Sequence, residues 1–399
     1  MTDEFDPRRP YTGLRVLDLG QGIAAPYCAM LLAMQGAEVV KLEPPAGDWS
    51  RGLGTRYGDH TAMSVQYNRG KKSLALDLKS AEAREIALEL AVRADILIEG
   101  FRPAVAARLG LGWEALSARN SRLIYVSVSG FGQDGPYARL PCTDSVAQAF
   151  SGLVAVNIGN DGAPHRVGAL IVDALTGLYA AQAVGVALYA RERQGKGRRL
   201  EFSLTQSAAA ILGHRLAEHV LEGGKPRALN VPTGAYRTAD GGWIMVALIR
   251  EEDFARLATA VGRADLGSDP RFSTFAARAE NAAAVTEIVR NRFAADTTAN
   301  WLAKLREADI LADRINGFDE WLADPHVVAT GGAVALPQPG IGLFRAARTP
   351  GVPAEIDAAM PPAPGVGEHG RAILTDLGLD EARIAGLAAE GALFLPGAA

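Results

Sequence analysis

Residues 14–43, LRVLDLGQGIAAPYCAMLLAMQGAEVVKLE, read as a single folding unit. Leu14 to Leu19 is a short apolar run of the kind that forms a buried strand. The glycine turn Gly20-Gln-Gly22 follows, then a helix over Pro26 to Gln35, opening on a proline that suits a first helical turn. Ala37 to Glu43 is a second strand, and strand, helix and strand at this spacing make a βαβ unit. The alternation goes on: a strand at 72–77, a helix at 80–93, and strands at 94–99 and 122–128. The fold class it predicts is α/β, with a doubly wound, Rossmann-like large domain.

Past residue 190, Leu200 to Leu204 reads as a further strand, with a helix running on to about Leu221. Gly223 to Gly234 is a turn-rich connector. A strand at 242–248 and helices near 253–261, 279–293 and 298–307 predict a smaller α+β domain. The Pro/Gly-rich stretch 336–366 then returns the chain to the first domain. The expected division is 1–222 for the large domain, 223–325 for the small one, and 326–399 as a return segment completing the large domain.

With 399 residues, 48% hydrophobic and 22% charged, the chain has the composition of a globular enzyme with more than one core. A formal charge of -4 supplies no global field for nucleic acid or an anionic membrane, so neither is an expected partner. The opening MTDEFDPRRP lacks the basic and apolar segments of a secretory signal, and a cytoplasmic location is expected. Two cysteines, Cys28 and Cys142, make no disulfide framework, and six histidines show no paired ligand spacing, so no metal is expected.

The apolar run Gly168 to Ala190 carries one carboxylate, Asp173. Asp173, Thr176 and Gln182 interrupt the run, which predicts a buried helix rather than a membrane span. Asp173 falls in its first turns, where the helix dipole favours an anion, in a place suited to a nucleophilic carboxylate. The competing reading is a structural Asp that caps the helix or pairs with an Arg.

Gly20-Gln-Gly22-Ile-Ala-Ala25 fits a relaxed dinucleotide pattern, and Glu43 ends the next strand where a ribose-binding acid would stand. That supports a nicotinamide-dependent oxidoreductase. Pro26 argues against the tight glycine turn this needs, whereas a small-residue loop before a helix receives other phosphate-bearing ligands, coenzyme A among them. Asn68 to Lys72, Phe101-Arg-Pro103 and Arg108 put positive charge at strand and loop ends. Gly130-Phe-Gly-Gln-Asp-Gly-Pro136 reads as a glycine turn after a strand.

In order along the chain, these segments resemble the class III CoA-transferase family (CaiB/BaiF type). The match runs through Gly13–Leu19, Gly36–Glu43, Asn68–Ser73, Leu76–Lys79, Ala94–Glu99 with Phe101-Arg-Pro103, Leu109–Gly112, Leu123–Ser127, Gly130–Tyr137, Gln148–Leu153, Val172–Gly177, Gly195–Gly197 and Phe202–Leu204. The resemblance implies a CoA-transferase that moves CoA from an acyl-CoA thioester to a free carboxylic acid through a covalent intermediate on an aspartate, here Asp173. It implies no permanently bound cofactor, CoA thioester being the substrate. It also implies a homodimer of interlocked rings. By the same matching, Gly22, Ile23 and Ala24 line the approach to CoA, Asn68 and Lys71 lie near its adenine-phosphate end, and Phe101, Val105, Arg108 and Leu109 wrap the nucleotide. Asp144 positions the acyl group or caps a helix.

The chain departs from the family pattern at Pro44, at Gly100 (where the usual residue is Asn), in 230–242 (which lacks a glycine run) and at Thr143. Racemase members carry His at the position of Thr143, and a threonine hydroxyl is no base near neutral pH. A 2-methylacyl-CoA racemase therefore stands behind the transferase, beside a catalytically silent acyl-CoA binder that an intact Asp173 argues against. Oxyanion stabilisation is expected from backbone N–H groups near Gly132 or in 230–236.

Overall fold

The computed structural model describes residues 6–159, 162–224 and 230–397. They form two compact units, one of residues up to 213 and from 331 onward, the other of 214–330. The boundaries thus fall at 213 and 331 rather than at 222 and 326. The reason is local. Leu204–Ile211 buries Leu204, Thr205, Ser207 and Ala208, whereas Gly213–Leu221 buries none of its residues. What reads as one helix is two, and only the first belongs to the large unit's core.

In the large unit the strands are β1 (Arg15–Leu19), β2 (Glu38–Glu43), β3 (Lys71–Leu76), β4 (Ile96–Glu99), β5 (Ile124–Ser129) and β6 (Arg198–Ser203). Its helices are α1 (Ala24–Met34), α2 (Ala62–Asn68), α3 (Ala81–Arg93), α4 (Val105–Arg108), α5 (Trp113–Arg119), α6 (Asp144–Phe150), α7 (Leu153–Val156), α8 (Ile171–Gln194) and α9 (Leu204–Ile211). The strands pair in the order β3-β2-β1-β4-β5-β6, all parallel. A seventh strand, Leu393–Phe394, pairs antiparallel with β3 at the edge and has no strong signal in the sequence. Every residue of β4 and β5 is buried, as expected of parallel strands covered on both faces. One face packs Val16, Val39, Ile98 and Val126 against α1 and α8; the other packs Leu17, Leu42, Leu97 and Tyr125 against α3 and the helices Gly370–Asp376 and Glu381–Ala389.

α8, with 24 residues, is long and apolar enough to cross a bilayer by length and composition alone. In this fold it packs along α1 through Val172, Thr176, Ala180, Val184 and Ala187, while Leu178, Val186 and Tyr189 are exposed. The helix is therefore buried along one side only, because a crossover helix in an open sheet has a single sheet-facing stripe.

The small unit has a three-stranded antiparallel sheet, Gly234–Arg237, Trp243–Ala247 and Leu311–Arg314. Its helices close over Tyr236, Phe293 and Trp301, the first two rings stacked 5.0 Å apart.

Gly177 sets the α1–α8 spacing. A Cβ there would lie 2.7 Å from the Ala24 carbonyl oxygen and 3.0 Å from Tyr27 Cβ, and a backbone oxygen cannot swing aside. Gly177→Val should cost about 1–3 kcal/mol in urea unfolding, read as a lower midpoint at unchanged slope. An unchanged midpoint would contradict this packing.

Candidate active site

Strand order reverses between β1 and β4, and open α/β sheets bind ligands in the crevice outside the carboxyl ends of strands at such a point. The loops meeting there are Gly20–Ile23, after β1, and Gly100–Ala104, after β4. They come close: a Cβ on Gly100 would sit 3.8 Å from Gly20 Cα.

The first loop is held from beneath by buried charges. Asp18 accepts the Gly20 N–H at 2.9 Å, Lys41 Nζ donates to the Gly20 carbonyl at 2.8 Å, and Asp48 accepts the Gly22 N–H at 2.9 Å. Lys41 pairs with Asp48, and Lys71 with Asp18, each at 2.8 Å and fully out of water. Gly22 has φ +79°, and the Trp49 indole lies so close that a Cβ would be 2.2 Å from it. Ile23 and Ala24, both buried, then open α1.

Lys71 and Asn68 belong to this platform and not to the crevice wall. The Lys71 ammonium is spent on Asp18, the Pro26 carbonyl at 2.8 Å and Asn68 Oδ1 at 2.9 Å, while the Asn68 amide donates to Ser64. Burial pulls the Lys71 ammonium down to about 8 against the opposing pull of Asp18. Lys71 keeps no donor for a ligand phosphate, and Asn68, with one amide hydrogen left, is only 1% exposed, which corrects their expected contact with CoA. Glu43 is likewise spent: Arg51 donates to both its oxygens at 2.8 Å, and Ser73 and the Asp48 N–H add two more bonds. It has nothing left for a ribose, so the dinucleotide reading loses its acid.

Across the crevice, Phe101 and Leu109 pack on the core beside α4, Val105 is partly buried, and Arg108 is exposed. Ala104 adopts φ +68° to start this short helix. The Phe101 N–H donates to buried Glu99, which also accepts from Ser127, whose hydroxyl takes the Gln133 amide at 2.7 Å. The Gly132 N–H is held by Ser129 Oγ at 3.1 Å, so the expected oxyanion donor is already engaged.

Asp173 is the third residue of α8, one turn before Gly177, and so faces the start of α1. Asp144, 2% exposed, lies beside it. Its Oδ2 accepts the N–H groups of Val172 at 2.7 Å and Asp173 at 3.1 Å, and its Oδ1 takes the Gln148 amide at 2.6 Å. Asp144 thus caps α8 from α6, a helix it also opens. The Asp173 carboxylate itself, partly exposed, has no hydrogen bond or ion pair among the described residues. Burial, and then the charge of Asp144, push it up to about 7. The first-turn N–H groups of Val172 and Asp173, expected to favour an anion at Asp173, thus serve its neighbour instead.

Tyr67 and Cys142 stand close enough to feel both carboxylates. Burial, Tyr27, Asp173 and Asp144 raise the Tyr67 phenol, and burial followed by Asp173 pushes the Cys142 thiol up to about 11. Tyr27 meets Tyr67 edge-on at 5.3 Å. Neither tyrosine was marked by the sequence, since each looks like an ordinary helical aromatic. The half-exposed aromatics Phe131, Tyr137 and Phe150 cluster nearby, 5.1–6.0 Å apart. No cluster of potential metal ligands occurs among the described residues.

The sequence model of CoA-transferase family III matches residues 11–370. The chain belongs to this family. It is 36% identical to the succinyl-CoA:D-citramalate CoA-transferase of Chloroflexus aurantiacus, over 96% of this chain and 98% of that one. It is 31% identical to the succinate–glutarate CoA-transferase of Agrobacterium fabrum, covering 94% and 98%. It is 32% identical to the acetyl-CoA:oxalate CoA-transferase of Acetobacter aceti, covering 96% and 99%. A CAIB/BAIF family protein of Brucella suis superposes with a TM-score of 0.79 at 31% identity, covering 92% of this chain and 99% of that one. Rv3272 of Mycobacterium tuberculosis gives 0.81 at 29% identity, covering 92% and 100%. The chain is an enzyme, a CoA-transferase with a mixed α/β fold and a large parallel sheet, and racemisation is not favoured.

With Asp173 held near 7, any step that needs its ionised carboxylate should make kcat/KM climb about tenfold per pH unit below pH 7 and level off above it. Asp144→Asn removes a like charge and should move this limb to lower pH while burial keeps it above the ordinary Asp range. A profile flat from pH 5 to 8 would contradict the assignment.

Proposed function

We propose that Asp173 carries the acyl group and CoA in turn while the enzyme transfers CoA between two free carboxylic acids. The carboxylate adds to the thioester carbonyl of the donor, a C–O bond forms, the C–S bond breaks, and CoA leaves as thiolate. That thiolate attacks the Asp173 carbonyl of the resulting anhydride and frees the donor acid, leaving an aspartyl-CoA thioester. The acceptor carboxylate repeats the first step on this thioester. The released thiolate then attacks the acceptor's carbonyl, giving the new acyl-CoA and returning Asp173. No proton, metal or redox cofactor is needed.

The observation that carries this reading is the state of Asp173: partly exposed, unpartnered, poorly solvated, and next to the glycine loop at the strand-order reversal. A carboxylate without hydrogen bonds is more nucleophilic than a solvated one. CoA would enter across the amino end of α1, with Gly22, Ile23 and Ala24 on one wall and Phe101, Val105, Arg108 and Leu109 on the other. Arg108 and Arg102, both exposed and with unpaired guanidinium groups among the described residues, are cations available for its phosphates. Asp144 acts on the acyl group only through Asp173.

For the acids, we propose short dicarboxylates. Relatives of this chain are named for D-citramalate, glutarate and oxalate, with succinyl-CoA or acetyl-CoA as donor. We further propose a cytoplasmic location and an interlocked homodimer, the dimer supported by the exposed apolar side of α8 at Leu178, Val186 and Tyr189.

Asp173→Asn keeps the side chain's size and removes its charge. It should cut transfer from succinyl-CoA to a dicarboxylate by about a thousandfold or more, with CoA affinity unchanged in a calorimetric titration. Turnover within about tenfold of the unmodified enzyme would refute the mechanism.

A further inference from the structure

A second concave site lies in the large unit at the amino ends of β1 and β2, on the opposite edge of the sheet from Asp173. It follows from the topology. α3 carries the chain from β3 to β4 past two intervening strands. Three strand spacings make roughly 14 Å, and one helix is about 10 Å across. Gly370–Asp376 covers the far side, and between the two helices a cavity of about 350 Å³ remains. That is within the roughly 300–1,000 Å³ typical of small-molecule sites.

Its floor is aliphatic, made by Leu17, Val40, Leu90, Ile373 and Leu377. Its mouth is charged. Three of the ions there are already matched: Lys72 and Glu38 with each other at 2.5 Å, and Arg93 with Glu89 at 2.8 Å. Two are not. The Arg15 guanidinium and the Asp376 carboxylate, both exposed, have no side-chain partner among the described residues. His369 adds a donor, since its Nδ1 accepts the Ser73 N–H at 3.3 Å, which leaves the proton of the neutral ring on Nε2.

We infer that this cavity binds a small zwitterion with an aliphatic body, the chemistry of an aliphatic α-amino acid. A plain aliphatic acid would satisfy Arg15 and meet repulsion from Asp376; a plain amine would do the reverse. A molecule carrying both charges satisfies both, and its aliphatic part covers the floor. The site is separate from the crevice of Asp173, and no step of CoA transfer uses Arg15 or Asp376.

The test is a calorimetric or saturation-transfer titration of the full chain with L-leucine, 4-methylpentanoate and isopentylamine, which share one aliphatic body. Leucine should bind more tightly than either single-charge analogue. Arg15→Gln should weaken leucine and 4-methylpentanoate by about tenfold and leave isopentylamine alone; Asp376→Asn should do the opposite. Both positions are exposed, and each variant should keep its circular dichroism and its CoA transfer within about twofold. No leucine binding at millimolar concentration would overturn the inference. So would equal affinity for all three probes, binding indifferent to both variants, or loss of CoA transfer in either.

Discussion

Two carboxylates meet at the amino end of α8, and the helix has backbone donors for only one of them. Asp144 takes the N–H groups of Val172 and Asp173 and is further fixed by Gln148. Asp173 is left with a like charge beside it and little water, so it sits near 7 and is poised between forms at physiological pH. A carboxylate stabilised by three donors would be a poor nucleophile. The cap from α6 thus does two things at once: it ties the first turn of α8 to α6 and leaves the Asp173 carboxylate without those bonds.

The same logic of buried, matched charge shapes the other wall. Asp18, Lys41, Asp48 and Lys71 are each at or below 3% exposed, and together they bind both polar groups of Gly20 and the N–H of Gly22. Taking such ions from water is costly, and losing any one leaves its partner unmatched. What results is a glycine loop whose backbone is fixed before a ligand arrives, where a solvated loop would have to be ordered on binding. The strand-order reversal sets this loop, the β4 loop and the first turns of α8 at one edge of the sheet.

The fold was legible because its strands are largely buried on both faces, so β4 and β5 appear as mostly apolar runs, and β1 and β2 as apolar runs broken by single charges, with helices between. Asp173 was legible for the same reason, as a single carboxylate in an apolar helix. What one sequence does not encode locally is pairing at a distance. Lys71 and Asn68 look like a basic surface loop, yet Lys71 reaches Asp18, 53 positions away. Asp48 follows a Pro-Pro-Ala-Gly turn with no pattern of its own, and it holds Gly22 from 26 positions on. Glu43 occupies the ribose-acid position of a dinucleotide fold, and only the structure shows Arg51 and Ser73 consuming it. The break after Leu212 was missed because apolar spacing continues across it into a helix with no buried residue.

The central claim is that Asp173 becomes covalently acylated, and trapping tests it most directly. Anhydrides and thioesters react with hydroxylamine, whereas a resting carboxylate does not. The enzyme would be incubated with succinyl-CoA, treated with hydroxylamine, digested, and mapped by tandem mass spectrometry. The account predicts a hydroxamate on Asp173 that depends on the acyl-CoA. A hydroxamate on Asp144 or another acid instead, or none during active turnover, would contradict it.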